Sequence, residues 1–157
     1  MTYKSEIGQL GENIACGYLV KNKYKVIERN FRQKWGEIDI IVKAPDRTLV
    51  FVEVKTVQGV EKLHTENDDK HISAEDQLTA AKLQKLQRTA SLYTGHNQDL
   101  INNKKGWRID LIAITLKVNG EPIKPARGEL VESTCGDLAE PLTLLDNHYV
   151  IKHYKNI

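Results

Sequence analysis

Two short apolar runs carry acids at alternate positions: Gly36-Glu37-Ile38-Asp39-Ile40-Ile41 and Phe51-Val52-Glu53-Val54-Lys55-Thr56. Ionised groups are costly in such surroundings unless they are paired or hold a metal. Between the runs, Ala44-Pro45-Asp46-Arg47 reads as a tight turn with proline at its second position. A hairpin folded there sets Asp39 roughly opposite Val52 and Glu53. Side chains alternate along a strand, so Glu53 and Lys55 share one face while Val52 and Val54 share the other. Two carboxylates and an ammonium then meet on an apolar support, a grouping that suits phosphodiester hydrolysis. A hard cation such as Mg2+ (or Mn2+) accepts one or two carboxylates, with water and substrate phosphate completing its shell. Asp39 and Glu53 would supply the carboxylates and the Val54 carbonyl a third oxygen. Lys55 would hold the attacking hydroxide or offset charge developing in the transition state.

Two helices must deliver the remaining groups. Ser5 is placed to cap the first, running to about Lys21, with Ile7, Leu10, Ile14 and Tyr18 at helical spacing. Glu12 falls in a stripe of mostly small residues (Gly8, Ala15, Cys16, Leu19) that could approach a sheet closely. From there it would bind a second metal or orient its waters. The second helix is expected from Ser73 to Gly95, with Leu83, Leu86, Ala90 and Tyr93 as its apolar line. Lys82 lies at the border of that line, with Lys85 and Arg88 further out. These three, together with Gln77, are the candidate nucleic-acid contacts.

The strands read as Tyr24–Arg32, the hairpin Trp35–Lys43 and Thr48–Thr56, then Trp107–Lys117 ending at an Asn119-Gly120 turn, and an edge strand Tyr149–Tyr154. Residues 58–72 are polar without periodicity and read as a loop. Residues 120–148 read as an irregular insertion. The order is helix, three strands, helix, strand and a variable tail: an α/β chain, residues 1–157 forming one domain, with a mixed sheet flanked by helices.

Of 157 residues, 40% are apolar and 28% charged, the balance of a soluble globular protein. With neither an apolar run of membrane-spanning length nor an apolar segment behind Met1, the expected location is cytoplasmic. Cys16 and Cys135 stand in no metal or redox spacing and read as a small buried residue and a loop thiol, as in a reducing cytosol. Net charge is only +2, yet residues 1–34 hold seven basic groups against three acids, and residues 77–108 six against one. Residues 128–151 hold five acids and no Lys or Arg. A basic face opposed by an acidic segment fits a polyanion, as does a solvated helix face.

Rival assignments exist. Glu37, two residues before Asp39 and on the same face, competes with it as a ligand. Asp110 reads as a structural partner for a nearby basic residue. His64 and His71 read as solvated loop residues, His96 favours a helix C-terminus, and His148 and His153 lack a partner motif. Neither a Gly-x-Ser-x-Gly nucleophile elbow nor a phosphate-cradling glycine loop occurs.

Taken together, the motifs resemble the YraN-like group of small bacterial proteins. The matching segments are Gly8-Gln9-Leu10-Gly11-Glu12-Asn13-Ile14-Ala15, Gly36-Glu37-Ile38-Asp39-Ile40-Ile41, Leu49-Val50-Phe51-Val52-Glu53-Val54-Lys55-Thr56, Gln77-Leu78-Thr79-Ala80-Ala81-Lys82, Arg108-Ile109-Asp110-Leu111-Ile112 and the terminal Ile151-Lys152-His153-Tyr154-Lys155-Asn156. That group is assigned to the PD-(D/E)XK, restriction-endonuclease-like superfamily and is similar to archaeal Holliday junction resolvases. The resemblance implies an α-β-β-β-α-β nuclease core with Glu12, Asp39, Glu53 and Lys55 as its site and Lys82 beside it. Val57 departs from the group, standing where relatives often place an arginine; residues 121–147 also look longer than usual.

The leading expectation is a Mg2+-dependent endonuclease hydrolysing DNA, including branched or structured DNA, with a homodimer placing two sites for paired cuts. A nucleic-acid-binding accessory protein that keeps the fold without turnover is the alternative from another class. An RNA-directed or single-strand nuclease is the third.

Overall fold

The structure, a computed structural model, describes residues 3–60, 78–118 and 149–157. Its elements are α1 (Tyr3–Lys21), β1 (Lys25–Gln33), β2 (Gly36–Lys43), β3 (Leu49–Val60), α2 (Ala80–His96), a short 3-10 turn (Gln98–Leu100), β4 (Trp107–Val118) and β5 (Tyr149–Tyr154). The five strands lie in chain order, β1-β2-β3-β4-β5. Only β3 and β4 run parallel, a pairing that demands a crossover, and α2 lies in that connection. This is the mixed sheet flanked by helices that the residue patterns imply.

Alternation along the central strands builds two cores. On one face Ile7, Ile14 and Leu19 of α1 pack on Ile40, Val42, Val50, Val52 and Ile112. On the other, Leu86, Ala90 and Tyr93 of α2 pack on Ile41, Phe51 and Ile109, with the Phe51 and Tyr93 rings edge-to-face at 5.6 Å. Strands covered on both faces become near-continuously apolar, which is why β2 and β3 read as Ile- and Val-rich runs. The β2–β3 turn forms as expected. The Arg47 N–H donates to the Ala44 carbonyl at 2.8 Å, and the Asp46 Oδ1 accepts from the Thr48 N–H.

Several boundaries differ from expectation. α1 already includes Tyr3, so Ser5 lies inside the helix and is not its cap. The cap of α2 is Thr79, whose Oγ1 accepts from the Lys82 N–H at 3.2 Å, and the helix continues through Gly95 to His96. Ser73, six residues earlier, lies outside the described residues. β3 continues past Thr56 to Val60 because β4 offers a parallel partner all the way to Val60↔Val118. Cys16 is buried, as its reading as a small buried residue implied. Gln77, Cys135, His64, His71, His148, the Asn119-Gly120 turn and the 120–148 insertion also lie outside the described residues. No helix among the described residues is long and apolar enough to cross a membrane.

Candidate metal and nucleic-acid site

The site lies where the β2–β3 hairpin opens. Main-chain pairing runs from Lys43↔Leu49 to Ile40↔Val52, so Asp39 and Glu53 are the next residues in register. There the pairing changes. The Asp39 Oδ2 accepts the Val54 N–H at 2.7 Å, a carboxylate taking the place of a main-chain acceptor. Glu53 is 1% exposed, with its Oε1 2.7 Å from the Lys55 Nζ and 3.5 Å from the Lys82 Nζ. Its Oε2 is buried and has no hydrogen-bond partner among the described residues. Lys82 also reaches the Glu37 Oε1 at 3.3 Å. Of the two rival acids on β2, Asp39 thus braces the acid pair while Glu37 faces α2.

Glu12 arrives because α1 comes close to β3. A Cβ on Gly11 would collide with the Thr56 side chain, so only glycine permits this approach. Gly8, one turn earlier, has nothing in front of it and leaves the mouth of the cleft open. Glu12 lies beside β1, where Arg29, Asn30 and Arg32 each favour its ionised form. Arg29 is braced in turn by α1, its Nη2 donating to the Asn13 Oδ1 at 2.6 Å. The resulting cleft, about 430 Å3, is lined by Glu12, Glu37, Asp39, Glu53, Lys55 and Lys82 among others.

The cleft is electrostatically uneasy. Burial, then repulsion from Glu53, pushes the Asp39 carboxyl up from 3.8 to about 7, and the Val54 N–H offsets only part of this. Burial also raises the Glu12 carboxyl, against the opposing pull of Arg29. Glu37 moves the other way, its carboxyl lowered by the Lys82 hydrogen bond and charge. Burial works against the Lys82 ammonium, but Glu53 and Glu37 outweigh it and raise its pKa.

These features fit a divalent cation. A buried carboxylate oxygen without a partner and a neighbouring carboxyl with a raised pKa both gain from a nearby positive charge. No group of three His, Cys, Asp or Glu side chains able to hold a metal is assembled among the described residues. The acids that would face a cation here are the pair Asp39 and Glu53, a number Mg2+ accepts when water fills the other positions. Val54 lines the cleft with its N–H committed to Asp39.

Glu12, Asp39, Glu53, Lys55 and Lys82 are thus brought to one cleft. Lys85 and Arg88 are exposed on α2, with Lys85 in reach of Glu37. The sequence reading missed Asn30 and the two flanking arginines. A signal existed: asparagine is depleted within strands but tolerates positive φ, and Asn30 sits in β1 at φ 53°. It also missed the partner of His153, whose Nε2 lies 2.9 Å from the Asp110 Oδ2. Asp110 itself meets its expectation, since the Arg108 Nε donates to it at 2.9 Å.

The chain is 39% identical over 111 residues to a UPF0102 protein of Clostridium botulinum (strain Loch Maree / Type A3), covering 71% of this chain and 80% of that one. It is 36% identical over 106 residues to one from Thermotoga petrophila, covering 66% and 82%. For one from Corynebacterium efficiens the figures are 36% over 92 residues, 59% and 67%. The profile described as "Uncharacterised protein family UPF0102" matches residues 11–114, a span holding Glu12, Asp39, Glu53, Lys55 and Lys82. This chain therefore belongs to the UPF0102 family, the YraN-like group that its motifs resemble.

Proposed function

We propose that this chain is a divalent-metal-dependent nuclease of PD-(D/E)XK type, hydrolysing DNA phosphodiester bonds, with branched or structured DNA among its substrates. One observation carries the reading: among the described residues Glu53 keeps an unpaired buried oxygen beside Asp39, whose carboxyl is pushed to about 7. A fold has no structural use for such a pair, whereas a cation-dependent site does. Bound Mg2+ or Mn2+ would polarise a phosphate and lower the pKa of a water. Asp39 and Glu53 are the residues that would hold the cation. Lys55, 2.7 Å from Glu53, supplies a positive charge where negative charge develops. Glu12 orients water from the α1 side, and Lys82 steadies phosphate from the α2 side.

A non-catalytic nucleic-acid-binding role draws on a different observation: Lys55 and Lys82 already neutralise Glu53. One experiment separates the two. Supercoiled, nicked, flapped and four-way-junction DNA are incubated with Mg2+, Mn2+ or EDTA and wild type, Asp39→Ala or Lys55→Ala. Metal-dependent cutting by wild type, reduced by about 10²–10³-fold or more in each variant, is expected. Binding by all three proteins without cutting by wild type would assign the accessory role. Cutting that survives Asp39→Ala would remove the site.

A further inference from the structure

We propose that Arg32 of β1, with Lys82 and Lys85 of α2, forms a seat for a nucleic-acid backbone phosphate beside the acid pair, and that Glu37 occupies this seat until a strand displaces it. The inference rests on nucleic acid being the ligand and adds a second phosphate contact with its own intramolecular competitor.

The geometry begins at Gly36, where a Cβ would collide with the Thr89 side chain of α2. The start of β2 is thus pressed against α2, on the face that carries Lys82, Lys85 and Thr89 at helical spacing. The next residue, Glu37, is the direct cross-strand partner of Arg32. Its Oε1 lies 3.3 Å from the Lys82 Nζ, and Arg32 and Lys85 act on the same carboxylate. Lys82 is thus in ion-pair contact with an acid that is still 48% exposed, with Arg32 across the strand pair and Lys85 one turn along α2 adding positive charge around it.

Among the described residues Lys82 alone makes the ion pair, so the charge of Arg32 and Lys85 is left for a further anion. A phosphodiester carries the same single charge as this carboxylate and, like it, presents acceptor oxygens. Exchange leaves the charge of the seat unchanged while releasing Glu37 into water, where a half-exposed carboxylate loses little. Lys82 ties the seat to the reaction site, since its ammonium also reaches Glu53 at 3.5 Å. A phosphate taking the place of Glu37 would be a neighbour of the scissile one, fixing the strand's register.

Fluorescence anisotropy with a labelled DNA duplex and a labelled junction, in EDTA to prevent cutting and over a range of salt, tests this. Glu37→Gln should bind about three- to ten-fold tighter than wild type, the scale of one solvated charge contact. Arg32→Ala should bind weaker by a similar factor with a salt slope smaller by about one, and Arg32→Lys should recover most of the loss. Lys104→Ala, in the turn before β4, serves as the control for net charge. The inference is overturned if Glu37→Gln binds no tighter than wild type, if Arg32→Ala costs no more than Lys104→Ala, or if wild type binds neither DNA. Tighter binding by Glu37→Gln in a protein that never cuts would uphold the seat and remove only the nuclease reading.

Discussion

Two buried acid centres occupy neighbouring parts of this sheet, and they are solved in opposite ways. Asp110 on β4 is fully buried, yet every oxygen is used. Arg108 donates to it from Nε at 2.9 Å and from Nη2 at 3.3 Å, His153 lies at 2.9 Å, and the Asn156 N–H donates at 2.9 Å. Burial alone would raise its carboxyl, but these partners hold it below its ordinary value. Asp39 and Glu53, on β2 and β3, have one main-chain donor and two lysines between them, and one oxygen left over. Burial there is left uncompensated. Asp110 ties the C-terminal segment to β4, helped by the Ile157 N–H donating to the Ile109 carbonyl. The Asp39–Glu53 pair ties nothing comparable together and opens onto a cleft. Position in the sheet does not distinguish the two centres; completeness of partners does.

Removing each acid should separate the two centres most sharply. Asp110→Ala leaves Arg108 and His153 without their partner and is expected to cost about 3–5 kcal/mol of stability. Asp39→Asn removes a charge that the fold disfavours while keeping an oxygen for the Val54 N–H, so stability should hold or rise. Urea unfolding of both variants measures this, and a loss of similar size in Asp39→Asn would erase the distinction.

The dependence on pH should also run in opposite directions. Asp110 has a lowered carboxyl pKa in the fold, so its contribution is present above its ordinary value of 3.8 and is lost on further acidification. Asp39 is raised from 3.8 to about 7, so the folded state holds the extra proton across that interval. Its contribution is greatest below the lower limit and is lost as pH rises through the upper one. The full interval corresponds to about 4 kcal/mol. Partly solvated, it should appear as a fall on the order of 2 kcal/mol between pH 4 and 7. Asp39→Asn should flatten that fall and leave the acid limb of Asp110 in place. An unchanged slope in the variant would assign the titration to another group.

The contrast between the two centres was only half legible in the sequence. Local rules brought the acid pair together: Pro45 fixed the turn, period-two alternation separated Glu53 and Lys55 from Val52 and Val54, and helical spacing carried Glu12 inward on a small-residue stripe. Asp110 was read as structural because a basic residue lay two positions away, but its other partner, His153, is 43 residues further on. No local pattern encodes that distance. The same holds for the Gly36–Thr89 contact that places Lys82 over Glu37, and for Asn30, which reaches Glu12 only once β1 lies beside α1. The α2 boundary failed for another reason: Ser73 and Thr79 are both competent caps, and propensity does not choose between them.

Divalent cations give the smallest effect and the most direct one, because they act on the unsatisfied centre alone. If Asp39 and Glu53 hold Mg2+ with a dissociation constant near 1 mM, then 10 mM Mg2+ stabilises the fold by about 1.4 kcal/mol. For a chain of this size that is a rise of about 3–5 °C in Tm. The gain should grow from pH 5 to pH 8, since the cation competes with the proton that Asp39 retains at lower pH. Asp39→Asn should lose most of it, whereas Arg108→Lys, which perturbs only the satisfied centre, should start from a lower Tm and show the full increment. Scanning calorimetry of the three proteins with and without Mg2+ makes the comparison. An increment equal in wild type and Asp39→Asn would mean that the cation binds elsewhere, and that the unpaired Glu53 oxygen is not what draws it.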